Sequence, residues 1–170
     1  GIFGAVTAMR IALTMRVTRA RDYDEPRDSI SHDWLDRLRQ WDMTPLPVSN
    51  RLGDPCGYLD AFAPDLLVLT GGDDPGTCPA RDETEQALLV HALERGLPVL
   101  GVCRGLQLAN GQFGGALSPV SGHVARRHRV RMQGAFAALY GEEAEVNSYH
   151  ALGVRPAGLA TELFPTAVDE

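Results

Sequence analysis

Apolar positions along this chain alternate between two rhythms, short unbroken runs and longer stretches with helical spacing. Arg10-Ile11-Ala12-Leu13-Thr14 reads as a first strand, and Pro45-Leu46-Pro47-Val48 as a second short extended segment. Leu66-Leu67-Val68-Leu69 is apolar at every position, which suits a strand buried on both faces of a parallel sheet. Pro98 to Val102 is another such run. Helical patterns fall between them. One is capped by Ser29 or Ser31 and runs to about Trp41, with Ile30, Trp34, Leu35 and Leu38 on one face. A brief helical turn covers Tyr58 to Phe62, and a longer helix starts at Asp82 or Thr84 and is stopped by Gly96. The helix after Pro98–Val102 extends to about Phe113 and ends at Gly114-Gly115. Arg16 to Arg27 is charged and irregular, and is expected to be a loop at the mouth of a pocket. Past residue 115 the rhythm changes. Ala116-Leu117, His128 to Met132 and Ala144 to Asn147 look like short strands of a more antiparallel region. There is no internal repeat and no low-complexity segment.

Strands alternating with helices predict an α/β fold, a three-layer, doubly wound, mostly parallel sheet with its site at the strands' carboxyl ends. At 170 residues the expectation is a single domain over 1–170. Residues 1–8 lack the basic start and long apolar centre of a signal peptide, and are expected to be a leader or cloning remnant ahead of Met9. A formal charge of −6 and a pI near 5.3 argue against nucleic acid or an anionic membrane as the main partner. All 16 basic residues are arginines, which excludes a lysine nucleophile or Schiff base. Three cysteines, Cys56, Cys78 and Cys103, show no C-x-x-C spacing, so neither a disulfide framework nor a zinc site is expected. A free thiol suits a reducing cytoplasm. No apolar run reaches membrane-spanning length. Metal and organic cofactors are not indicated either. The chain lacks G-x-x-x-x-G-K, zinc spacing and a dinucleotide fingerprint after the first strand.

The chemistry concentrates at one corner. Gly101-Val102-Cys103-Arg104-Gly105 reads G-x-C-x-G where the fourth apolar run turns into a helix. This is the strand–turn–helix setting of the G-x-S-x-G elbow, with Cys103 at the corner. The positive end of a helix dipole favours thiolate over thiol there, and the Arg104 backbone N–H is aimed to receive an oxyanion. Thr70-Gly71-Gly72-Asp73 sits at the carboxyl end of another strand. Its glycine pair can turn a second N–H toward the cysteine, or serve simply as a βα turn.

Four segments in order then match a known family. They are Leu69-Thr70-Gly71-Gly72-Asp73-Asp74-Pro75, Pro98 to Gln107, Gly114-Gly115-Ala116-Leu117 with Gly122-His123 and His128, and Val146-Asn147-Ser148-Tyr149-His150. The chain resembles the class I glutamine amidotransferase-like superfamily, and within it the gamma-glutamyl-gamma-aminobutyrate hydrolase (peptidase C26) group. The resemblance implies a flavodoxin-like sheet and a small-molecule γ-glutamyl substrate. It also implies a cysteine, Cys103, that attacks glutamine or a γ-glutamyl amide and passes through a glutamyl thioester. The oxyanion donors would be N–H groups near Gly71 and Gly72 and of Arg104. Gln107 resembles a substrate-contacting glutamine, with helix packing as its other reading. His150, from the segment resembling V-N-S-x-H, is expected to be a base or a pocket residue. The group's histidine and glutamate come from a late W-H-P-E-type segment that has no counterpart here, so neither is carried over, and the sheet is expected to lack its last strands. A catalytically degenerate binding protein and an amidotransferase subunit passing ammonia to a synthetase remain alternatives, and a homo-oligomer is equally compatible. His123 and His128 are expected to be structural or exposed, and no motif asks for His32 or His91.

Overall fold

The computed structural model describes residues 8–169; the expectation for the first seven residues lies outside them. The chain divides into two compact units, one through Ala109 and one from Asn110.

The first unit is built on β1 (Arg10–Thr14), the hairpin strands β2 (Arg16–Arg19) and β3 (Pro26–Ser29), α1 (His32–Gln40), β4 (Thr44–Val48), α2 (Pro55–Phe62), β5 (Leu66–Leu69), α3 (Pro79–Arg95), β6 (Val99–Gly101) and most of α4 (Arg104–Gln112). Four strands pair in parallel in the order β4-β1-β5-β6. This is the doubly wound arrangement, in which the chain starts in the middle of the sheet and winds to both sides. The strand period of two splits each apolar run between two cores. Ala12, Leu67 and Leu69 face one side, with Leu59 of α2, Leu88, Leu89 and Ala92 of α3, and Leu108 of α4. Ile11, Leu13 and Val68 face the other, with Leu38, Trp34 and Leu35 of α1. The unbroken run at Leu66–Leu69 is therefore a strand covered on both faces, as its composition predicts.

Local signals set the ends. The Ser31 hydroxyl accepts from the Asp33 N–H and caps α1, and Gly96 at φ +66 terminates α3. Two expectations need correction. The Arg16–Arg27 stretch is not an irregular loop, because β2 and β3 pair antiparallel from Arg16↔Ser29 to Arg19↔Pro26. Its side chains are mostly exposed and polar, so no apolar alternation marks it. The Asp28 carboxylate ties the hairpin down by accepting from Ser49 Oγ, Asn50 N and Asn50 Nδ2. The long helix begins earlier than Asp82, at Pro79, where a missing N–H costs nothing in the first turn.

The second unit holds β7 (Ser118–Pro119), β8 (Val124–Met132), α5 (Gly134–Tyr140), β9 (Glu143–Tyr149), β10 (Leu152–Gly153), a 3₁₀ turn at Pro156–Gly158 and β11 (Ala167–Asp169). β8 is the centre of an antiparallel sheet ordered β11-β8-β9, and β7 pairs with β10. The strand expected at Ala116-Leu117 falls at Ser118–Pro119 instead. Asn110 is fully buried and braces this unit: its Nδ2 donates to the carbonyls of Ala116 and Gly158, and its Oδ1 accepts from Ala160 N. Among the described residues no helix is long and apolar enough to cross a membrane.

Candidate active site

β6 ends at Gly101, and the chain turns through Val102 and Cys103 into α4. Cys103 is exposed and has φ +52, a left-handed backbone that a residue with a Cβ adopts only under constraint. The constraint is visible in its neighbours. The Val102 N–H donates to the Leu69 carbonyl at 2.9 Å, continuing the β5–β6 ladder, while the Gly105 and Gln107 N–H groups already point back to the Val102 and Cys103 carbonyls. One residue must therefore absorb the change from strand to helix. The close approach depends on two glycines. A Cβ on Gly105 would stand 2.3 Å from the Leu69 carbonyl oxygen, and one on Gly101 would stand 2.6 Å from the Gly105 carbonyl carbon. The Arg104 N–H opens the first turn of α4, among the donors that a helix leaves without an intrahelical partner.

The Thr70–Asp73 loop lies beside this corner. A Cβ on Gly71 would be only 3.6 Å from Cys103 Cβ. Gly72 has φ +146, and a Cβ there would stand 2.4 Å from Arg81 Nη1. The Arg81 guanidinium runs beneath the loop, with Nη2 donating to the Thr70 carbonyl at 2.9 Å and to the Gly71 carbonyl at 3.2 Å. In a trans peptide the C=O and the following N–H point in opposite directions. Holding the Gly71 carbonyl on Arg81 therefore turns the Gly72 N–H the other way, away from the Arg81 guanidinium.

Beneath both turns lies a buried ionic network that no motif announces. Glu85 is fully buried and bridges two arginines, accepting from Arg81 Nε at 2.8 Å and Arg104 Nε at 2.9 Å. Thr14 Oγ1, at the end of β1, donates to Glu85 and accepts from Thr70 N. Arg104 also donates to the Asp73 carbonyl and pairs with Asp82. The Arg104 side chain is thus a structural brace. Burial pulls the Arg81 pKa below its ordinary value despite Glu85. At Arg104 burial acts the same way, but the hydrogen bond to Asp82 and the charge of Glu85 outweigh it and raise the pKa. The sequence held one sign of this network. Arg81 and Glu85 extend the stripe of Leu88, Leu89 and Ala92, so two charges lie where α3 is otherwise apolar.

The structure brings Gly71, Gly72, Cys103 and Arg104 together within the first unit. Gln107 follows one turn into α4 with its side chain buried. His150 belongs to the second unit, just after β9, where its ring stacks on His123 with centroids 5.0 Å apart and its N–H donates to the His123 carbonyl. His123 and His128 are neither isolated nor merely exposed. They share the carboxylate of Asp169.

Comparison with known proteins agrees with this architecture. The family model described as Peptidase C26 matches residues 63–170. A gamma-glutamyl-CDP-amidate hydrolase of Campylobacter jejuni is 31% identical over 132 residues, covering 72% of this chain and 64% of that protein. An anthranilate synthase of Azospirillum brasilense is 39% identical over 144 residues, covering 82% of this chain and 19% of that one. The chain thus spans less than two thirds of either relative. Among solved structures, a glutamine amidotransferase of Thermotoga maritima superposes with a TM-score of 0.68 at 16% identity, over 94% of this chain and 66% of that one, and so shares its fold. With the family model covering more than half of its length, the chain belongs to the Peptidase C26 family.

Proposed function

We propose that this chain carries the cysteine nucleophile of a γ-glutamyl amide hydrolase, acting on glutamine or a γ-glutamyl amide. The observation that carries the reading is the pairing of Cys103, at φ +52 on the strand–helix corner, with the Gly71–Gly72 turn beside it. The thiolate sulfur attacks the side-chain carbonyl carbon, and the developing oxyanion is received by the N–H groups of Gly72 and Arg104. Donors of this kind are worth roughly 100- to 1,000-fold each in kcat. The C–N bond then breaks and the amine leaves with a proton, after which water attacks the thioester to return the thiol and release glutamate.

The direct test is glutamate release from glutamine and from a γ-glutamyl anilide. The reading expects release that is lost in Cys103→Ser and retained in Cys56→Ser. No release by the folded chain, or undiminished release by Cys103→Ser, overturns the hydrolase reading and leaves a binding protein of the same fold. The likeness to an anthranilate synthase across 82% of this chain supports a second reading, an amidotransferase subunit delivering ammonia to a synthetase. That reading expects glutamine, and not a γ-glutamyl anilide, to be the substrate used.

A further inference from the structure

The register of the β11-β8-β9 sheet gathers chemistry on one face. Ser148 lies opposite Arg126, and Asp169 opposite Val130. Each is therefore a diagonal neighbour of His128, the residue between Arg126 and Val130 on the same face of β8. His123 comes five positions before His128, an odd separation that in an unbroken strand would send it to the other face. The register shift between Val124 and Arg126 inserts one residue, Ala125 at φ +51, and restores His123 to the face of His128. The result is convergent. Asp169 Oδ2 lies 3.1 Å from His123 Nε2, and Asp169 Oδ1 lies 2.5 Å from His128 Nδ1. The two imidazoles meet edge to face with centroids 4.7 Å apart.

We propose that His123, His128 and Asp169 form a binding site for one divalent transition-metal ion of the zinc type. One ligand atom from each residue lies within 4.8 Å of the other two. A tetrahedral ion with bonds of about 2.0–2.2 Å needs its ligand atoms roughly 3.3 Å apart, so small side-chain rotations complete the set. Two imidazole nitrogens and one carboxylate select zinc or cobalt over magnesium or calcium, which take oxygen donors. His128 also has the outer partner that a ligating histidine requires. Its Nε2 is hydrogen-bonded to the buried Ser148 hydroxyl. With Nε2–H donating there, the Nδ1 lone pair is directed at the metal position. The side chains of His123 and His128 are 16% and 20% exposed, sheltered yet reachable from solvent. Three protein ligands leave a coordination position for water. The inference stands apart from the role of Cys103 and does not need it.

The test is a titration of the chelator-stripped chain with Zn²⁺ at neutral pH, followed calorimetrically, with Mg²⁺ as the contrasting ion. One zinc per chain is expected, and no saturable magnesium. His128→Ala and Asp169→Asn should each weaken zinc by at least tenfold, and Ser148→Ala by roughly 10- to 100-fold as loss of an outer partner does. His91→Ala, which removes a histidine paired with Asp60 elsewhere, should change nothing. Co²⁺ on the unaltered chain supplies a readout independent of how any variant folds: visible d–d bands without sulfur-to-metal charge transfer. Absence of saturable zinc binding, unchanged affinity in both ligand variants, or a thiolate charge-transfer band that Cys103→Ser abolishes would each overturn the site.

Discussion

Cys103 holds a conformation that costs a residue with a Cβ roughly 1–2 kcal/mol, and the protein keeps it because strand and helix leave no other geometry. Cys103→Gly should therefore be more stable to urea than Cys103→Ala, by about 0.5–1 kcal/mol after the greater freedom of unfolded glycine is subtracted. A glycine variant less stable than the alanine variant would mean the corner is unstrained. Thiol chemistry supplies a second test at this scale. Burial, and then the carboxylates of Asp54, Asp60 and Glu94, push the Cys56 thiol above its ordinary pKa. A raised thiol pKa leaves less thiolate at neutral pH, so iodoacetamide labelling of Cys56 should become appreciable only at higher pH than for an ordinary cysteine. Exposed Cys103 should be labelled first at pH 7, read by peptide mass spectrometry. Faster labelling of Cys56 would contradict both assignments.

Among the elements, the contact of β5, β6 and α4 is the tightest feature of the site. Gly105→Ala puts a methyl into the Leu69 carbonyl and should destabilise the chain by about 1–3 kcal/mol in a denaturant titration. Beneath it, Arg104→Met would leave Glu85 short of a partner in a site with no solvent access, for a loss of roughly 3–5 kcal/mol. Arg81 acts on the loop through the Gly71 carbonyl, so Arg81→Met should slow acylation of Cys103 by a carbonyl electrophile more than its alkylation by iodoacetamide. A parallel drop in both would show that Arg81 only supports the fold. These elements were legible to different degrees. Ser31, the Leu66–Leu69 run and Gly96 each carry a local rule that tertiary structure obeys, so β5, α1 and the end of α3 follow from the residues alone. The β2–β3 hairpin and α5 do not. The hairpin is polar and held by Asp28, whose partners Ser49 and Asn50 lie about twenty positions away. α5 is apolar at nearly every position and buries none of its residues, so no alternation of polar and apolar faces betrays it.

At the scale of the whole molecule, parallel strands β1 and β5 lie inside the sheet of the first unit, whereas α5 presents Phe136, Leu139 and Tyr140 to solvent. Native-state hydrogen exchange should find the slowest amides in β1 and β5 and fast exchange throughout α5; strong protection of α5 would contradict this ranking. The corner at Cys103 was legible because it joins a strand to a helix within a few residues, and the turn at Gly71–Gly72 because a glycine pair directly follows an unbroken apolar run. The Arg81–Glu85 pair left only a trace on its helix, and the partners that complete each cluster, Arg104 for the network and Asp169 for His123 and His128, come from other elements, one through helix packing and the other through strand pairing beside a bulge. Reaction of the chain with an acivicin-type glutamine-directed electrophile, followed by peptide mass spectrometry, decides whether Cys103 is the nucleophile of a glutamine-binding site. A single adduct on Cys103, suppressed by excess glutamine, is the predicted result; a folded chain that acquires no adduct at Cys103 would contradict it.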